Sequence, residues 1–156
     1  MAAMTPTELN RRADAIVTPD LIDAYARDGA VCLRGLLNAD EVALLRRGID
    51  ANIAQPSPRA RVASRPDDPG FFIEDFCCWQ ESDAYRQVIF DSPLAAAAGR
   101  LMGSRQVRLY HDHMLTKEPG TRQRTPWHQD QPYYNIEGRQ NVSFWIPADP
   151  VARPST

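Results

Sequence analysis

The order of local signals constrains the fold of this chain more than any other feature: helix signals come first and strand signals last. Thr18-Pro19 reads as an N-cap followed by proline at the first helical position. Leu21, Ile22 and Tyr25 then form an apolar stripe, and Gly29 stands where a terminal glycine belongs. Asn38 and Glu41 make a capping box, followed by Val42, Leu45, Ile49 and Ile53 at helical spacing. Ser82 to Phe90 forms a helix with Tyr85, Val88 and Ile89 inward, and Ser92-Pro93 starts another that runs to Gly103. Val31 and Leu33 suggest a short strand, and Phe71 to Phe76 is extended. After residue 105 the period becomes two. Gln106 to Thr116 predicts a strand with Val107, Leu109, His111 and His113 on one face and Arg108, Tyr110, Asp112 and Met114 on the other. Trp127 to Tyr134 and Val142 to Ile146 predict two more, the last closed by Pro147. Helices before strands predict an α+β fold, with helices on one side of an antiparallel sheet. Only about three sheet strands fit after residue 105, where a double-sheet jelly roll needs about eight. Residues 1–17 read as a flexible N-terminus, and 18–156 as part of a single domain.

Composition narrows the classes. The 156 residues suit one domain with a real core. A net charge of -2 and no basic face or arm argue against nucleic acid. No apolar run approaches the ~20 residues of a membrane span, and Met1 to Arg12 lacks a signal-peptide core. Cys32, Cys77 and Cys78 are an odd count with no CxxC spacing, so reduced thiols in a cytoplasmic protein are expected.

Two stretches carry chemistry. Gln55 to Gly70 holds Pro56, Pro58, Pro66 and Pro69 with Arg59, Arg61 and Arg65. It reads either as a solvated mobile loop or as a lid whose arginines meet an anionic substrate. The second stretch is Trp127-His128-Gln129-Asp130. On an extended strand, residues two apart share a face, so an imidazole nitrogen and a carboxylate oxygen stand side by side. They would supply two ligands of a 2-His-1-carboxylate iron site. The same two residues could equally be a hydrogen-bonded pair at the surface.

The wider sequence bears on that choice. From Thr18 onward the chain resembles the phytanoyl-CoA dioxygenase family of Fe(II)- and 2-oxoglutarate-dependent oxygenases. The resemblance runs through Asp28-Gly29-Ala30-Val31-Cys32-Leu33-Arg34-Gly35-Leu36-Leu37 and His113-Met114-Leu115-Thr116-Lys117-Glu118-Pro119-Gly120. It is strongest in Trp127 to Tyr134, with Trp145 following. It implies a double-stranded β-helix (jelly-roll, cupin-like) behind the N-terminal helices, with Fe(II) held by His128 and Asp130. It implies 2-oxoglutarate as cosubstrate, O2, and hydroxylation of an unactivated C–H bond in a small organic substrate. Lys117 and Met114 match family positions that line the cosubstrate pocket. Lys117 on its own is equally a solvated cation at a strand end, and Trp145 either core or pocket wall.

The family's second metal histidine and the arginine that pairs 2-oxoglutarate have no match here. Arg153 stands too close to Asp130 and reads as part of a turn in Pro150-Val151-Ala152-Arg153. The chain is therefore expected to be the N-terminal part of a longer domain. His111 and His113 are the remaining histidines, more readily packed in a sheet than ligating. A second reading is a non-catalytic binding or assembly module, self-associating through open sheet edges.

Overall fold

The structure, a computed structural model, describes residues 4–151. Its first element departs from expectation. Helix α1, Pro6–Ile16, occupies residues expected to be flexible. The signal is local: Thr5 and Glu8 form a capping box around Pro6, with Thr5 Oγ1 accepting from Glu8 N at 3.3 Å. Packing completes it, because Ala13 and Val17 are buried against the later helices. Arg12 donates to both carboxylate oxygens of Glu41 at 2.7 Å and to the Leu36 carbonyl at 3.1 Å.

Helix α2, Pro19–Asp28, starts at the Thr18 cap and stops at Gly29, whose φ of 77° is the left-handed cap conformation. Helix α3, Ala39–Ala54, carries the Asn38–Glu41 capping box. Helix α4, Asp83–Phe90, is capped by Ser82, and α5, Leu94–Met102, ends at Gly103. Gly48 lets α3 approach α4 closely: a Cβ there would sit 2.9 Å from the Tyr85 ring. Ala13, Val17, Leu36, Val88, Leu94, Ala97 and Leu101 form one apolar cluster. Each large aliphatic side chain buried there contributes roughly 1.5–3 kcal/mol.

The sheet is smaller than the sequence predicts. Strands β1 (Arg61–Val62), β2 (Phe72–Phe76) and β3 (His113–Lys117) form an antiparallel sheet in that order. Strand β1 lies inside the stretch expected to be a loop. Ile73, Asp75, Met114 and Thr116 alternate toward the helices, with Ile73, Met114, Cys78 and Tyr85 forming a second core cluster. Phe72, Glu74, Phe76, His113, Leu115 and Lys117 share the opposite face. Cys77 N and Glu118 N bond to β3 and β2 partners at 112 and 71. Antiparallel alternation therefore turns the backbone groups of His113, Leu115 and Lys117 away from β2.

The other predicted strands do not form among the described residues. Val31–Leu33 and 106–111 have no ladder partner, and Asp112 takes only the single bond from Cys77 N that leads into β3, so the alternation there builds no ladder. Residues 142–146 keep the alternation without a ladder: Val142, Phe144 and Ile146 pack on the helical cluster. The structure thus has mixed helices and a small open antiparallel sheet, and no jelly roll among its described residues. Arg153, expected in a turn, lies outside them.

Candidate functional site

The motif segment is not the extended strand that the spacing suggests. Asp130 has helical backbone angles (φ -75°, ψ -31°) and leads into a short 3-10 helix, Gln131–Tyr133. His128 and Asp130 still meet, because the turn replaces what a strand would have done by period. His128 Nε2 lies 3.2 Å from Asp130 Oδ1. His128 Nδ1 lies 2.8 Å from the Pro126 carbonyl oxygen. A carbonyl only accepts, so Nδ1 carries a ring hydrogen, and Nε2 is the nitrogen that faces the carboxylate. A nitrogen and a carboxylate oxygen that close share a proton or a cation. An imidazole nitrogen beside a carboxylate oxygen suits a divalent first-row metal, and a carbonyl on Nδ1–H is the usual outer contact of a ligating imidazole. The residues present thus fit a metal as two of its ligands. Among the described residues, no three His, Cys, Asp or Glu side chains converge on one point.

A cluster of aromatic rings flanks the pair in the chain. Tyr134 lies 5.3 Å from Tyr110 and 5.6 Å from His111, ring centroid to centroid. Tyr134 Oη is 3.3 Å from Ser143 Oγ. With Val142, Phe144 and Ile146 turned to the helices, Ser143 and Trp145 face the other way, and Trp145 is exposed. Gln131 anchors the turn, taking a hydrogen bond from Asn141 Nδ2 at 3.2 Å and donating to the Ile136 carbonyl at 2.7 Å. Trp127 is fully exposed and touches none of this cluster.

The remaining predicted residues divide between the two faces of β3. Lys117 lies on the open face, with Nζ 4.7 Å from the Phe72 ring centroid and 3.4 Å from Thr125 Oγ1. Met114 is buried in the core on the opposite face, where Thr116 Oγ1 approaches its sulfur at 3.2 Å. The structure therefore does not bring Met114 and Lys117 to one pocket; consecutive strand positions point to opposite faces, and 114 and 117 differ by an odd number. His113 stacks on Phe76 at 4.0 Å, with Nε2 3.4 Å from Glu74 Oε2. Burial lowers its pKa, opposed by the charges of Glu74 and Asp130. His111 is an aromatic-cluster residue, not a strand neighbour of His113.

Of the loop arginines, Arg59 is structural. Its guanidinium donates to the Phe76 carbonyl at 2.7 Å, the Cys77 carbonyl at 3.2 Å and Glu81 at 3.2 Å. Arg61 lies over the Phe76 ring at 5.9 Å. A lid built from all three arginines is thus not what the structure contains; Arg65, unlike the other two, lines the cavity beside Phe71 and Glu118.

Sequence reading missed the polar centre that holds these elements together. Asp75 is fully buried and accepts from Asn52 Nδ2 and Ser57 N at 2.8 Å, Ser57 Oγ at 2.6 Å and Phe76 N at 2.8 Å. Although burial opposes it, these donors hold its carboxyl well below the usual range. Tyr85 Oη donates to Asn52 Oδ1 at 3.1 Å, and burial pushes the Tyr85 phenol up. Burial also pushes the Cys78 thiol up to about 11, so it is an inert core thiol. Asn52 and Ser57 lie 23 and 18 residues from Asp75, and no local pattern links them to it.

Comparison with known proteins bears on the whole chain. The ectoine dioxygenase of Stutzerimonas stutzeri (strain A1501) is 27% identical over 128 residues, which covers 80% of this chain. The chain spans 41% of that relative's length. No solved structure gives a significant match. The family model for phytanoyl-CoA dioxygenase matches residues 25–154, from helix α2 through the His128–Asp130 turn and the aromatic cluster. The chain belongs to the phytanoyl-CoA dioxygenase family.

Proposed function

We propose that this chain carries the first metal-ligand pair of an Fe(II)- and 2-oxoglutarate-dependent dioxygenase that hydroxylates an unactivated C–H bond of a small molecule. The observation that carries the reading is His128 Nε2 held 3.2 Å from Asp130 Oδ1, with Nδ1 2.8 Å from the Pro126 carbonyl. Bound iron would supply oxygen activation coupled to decarboxylation of the 2-oxo acid. The chain's own residues do the rest. Pro126 and Gln131 fix the turn that aims both ligands. Tyr110 and Tyr134 pack as a wall that would restrict water and contact an apolar substrate, and exposed Trp145 offers a further apolar surface. Lys117, on the open face of β3, offers a cation to the cosubstrate's carboxylate. Met114 supports that strand from behind. Cytoplasmic location belongs to this proposal; no described helix is long and apolar enough to cross a membrane.

The test begins with metal binding. Titrating the chain with Co(II) and reading its visible absorption should give a band that weakens at least tenfold in affinity in both His128→Ala and Asp130→Ala. Equal affinity in all three proteins overturns the ligand assignment. The encoded protein supplied with Fe(II) and 2-oxoglutarate should then form succinate, and Asp130→Ala should not hydroxylate. Ectoine, named in the relative, is the first substrate to assay.

A second reading rests on β3. Its outer backbone groups have no partner among the described residues, and Leu115 is half exposed beside them. Such an edge pairs with another strand. As a self-associating module, the chain would be dimeric by light scattering and monomeric as Leu115→Lys; a monodisperse wild-type monomer removes this reading.

A further inference from the structure

Of the 18 basic residues in the chain, every one but Lys117 is arginine. An arginine carries its geometry in a rigid fork. A lysine is a point charge on a flexible stem and takes its position from its surroundings.

Two neutral groups supply that position. Lys117 stands directly across from Phe72 in the β2–β3 register, and its Nζ lies 4.7 Å from the Phe72 ring centroid. Phe72 is buried, so the ring is itself held in place. Thr125 Oγ1 accepts from Nζ at 3.4 Å. The ring attracts the ammonium through its quadrupole and the hydroxyl through a lone pair, so neither cancels its charge.

No acid cancels it either. Among the described residues, no ion pair includes Lys117. The adjacent Glu118 turns Oε2 to Phe71 N at 3.1 Å. An ammonium has three hydrogens. Thr125 takes one and the ring faces another, which leaves one for an incoming acceptor. A carboxylate is the acceptor that also answers the charge.

Thr125 has a further connection through its neighbour. Pro126 restricts Thr125 to extended backbone and fixes its own φ. The Pro126 carbonyl lies 2.8 Å from His128 Nδ1. Two adjacent residues of a stiff segment therefore hold the ammonium and the imidazole.

We propose that Thr125 is a positioning residue: with Phe72 it holds the Lys117 ammonium where a carboxylate of the cosubstrate meets it, at a span from His128 set by Thr125-Pro126. This rests on the cosubstrate role proposed for Lys117.

Because Lys117 is the sole lysine, isotope-labelled lysine gives the full chain one ε-methylene signal. In the free protein the Phe72 ring should hold that signal upfield of unstructured lysine. Thr125→Val should move it toward the unstructured position, and Thr125→Ser should restore it. Thr125 is exposed, so exchanging its hydroxyl for a methyl leaves the core intact. 2-Oxoglutarate is then titrated into the Zn(II)-loaded chain and followed by amide chemical shifts. Lys117→Met should weaken its binding roughly tenfold. Thr125→Val should weaken it roughly fivefold, and Thr125→Ser should bind as wild type. In the Lys117→Met background, Thr125→Val should add nothing. Zn(II) affinity should stay the same throughout, which a general disturbance of the turn would not allow. The positioning role alone is overturned if Lys117→Met weakens binding while Thr125→Val leaves either the Lys117 signal or the 2-oxoglutarate affinity at its wild-type value. It is also overturned if the Thr125→Val loss persists in full without Lys117. A wild-type chain that does not bind 2-oxoglutarate, or a Lys117→Met chain that binds it as tightly, overturns the cosubstrate role of Lys117 and the positioning role with it.

Discussion

Replacing Asp75 should damage this protein more than any other single polar substitution. Its carboxylate takes four hydrogen bonds from Asn52, Ser57 and Phe76 while fully buried, and so ties the end of α3 and the start of the loop to β2. Hydrogen bonds to a charged acceptor contribute ~1.5–3 kcal/mol each, though shared networks do not sum. Asp75→Ala strands four donors in a dry site and should cost ~4–5 kcal/mol, comparable with breaking a buried ion pair. Asp75→Asn keeps one acceptor oxygen. Its amide is best turned toward Ser57 Oγ, which can rotate to accept, leaving only Phe76 N facing a donor; the cost should be ~2–3 kcal/mol. Urea unfolding measures both, with the midpoint falling and the slope unchanged. pH gives an independent check. The folded carboxyl titrates below its ordinary value of 3.8, so its stabilisation is complete above 3.8 and is lost progressively as pH falls below it toward the lower folded pKa. The gap between wild type and Asp75→Asn should therefore be widest above pH ~5 and close on acidification. An Asp75→Asn protein within ~0.5 kcal/mol of wild type would refute the network's role.

Other outcomes follow from single contacts. Gly70→Ala pushes a methyl into backbone at 2.4 Å and should cost ~3 kcal/mol by thermal unfolding, with the 350 Å³ cavity distorted. Glu41→Gln removes the charge that Arg12 meets at 2.7 Å and should cost about 2–3 kcal/mol, less than a fully buried pair because Arg12 is 26% exposed. Met scanning at Arg12 should recover part of that loss in the Glu41→Gln background, as a double-mutant cycle would record. Exposed Arg27–Asp28 should be neutral by the same assay when Asp28 becomes Asn.

How much was legible in the sequence follows the range of each interaction. Caps act over three or four residues, so Thr18, Asn38–Glu41, Gly29 and Ser82 announce their helices. Thr5-Pro6 with Glu8 is the same kind of signal, and helix α1 could have been found from it. Strands are different. Alternation at 106–111 and 142–146 is local, but a ladder needs a partner strand, and the described residues give these segments none. The meeting of His128 with Asp130 was legible for a partly mistaken reason: they stand 3.2 Å apart through a turn, not through strand period.

By itself, the sequence determined the helices, the family, and the pairing of an imidazole with a carboxylate, because each rests on residues close together in the chain or on an ordered series of motifs. Tertiary structure alone decided which face of β3 carries Lys117 and which buries Met114. It also decided that Arg59 braces a turn while Arg65 lines a cavity. These depend on contacts between residues tens of positions apart, where side-chain period carries no information and only packing and the need to satisfy buried polar groups choose the partner.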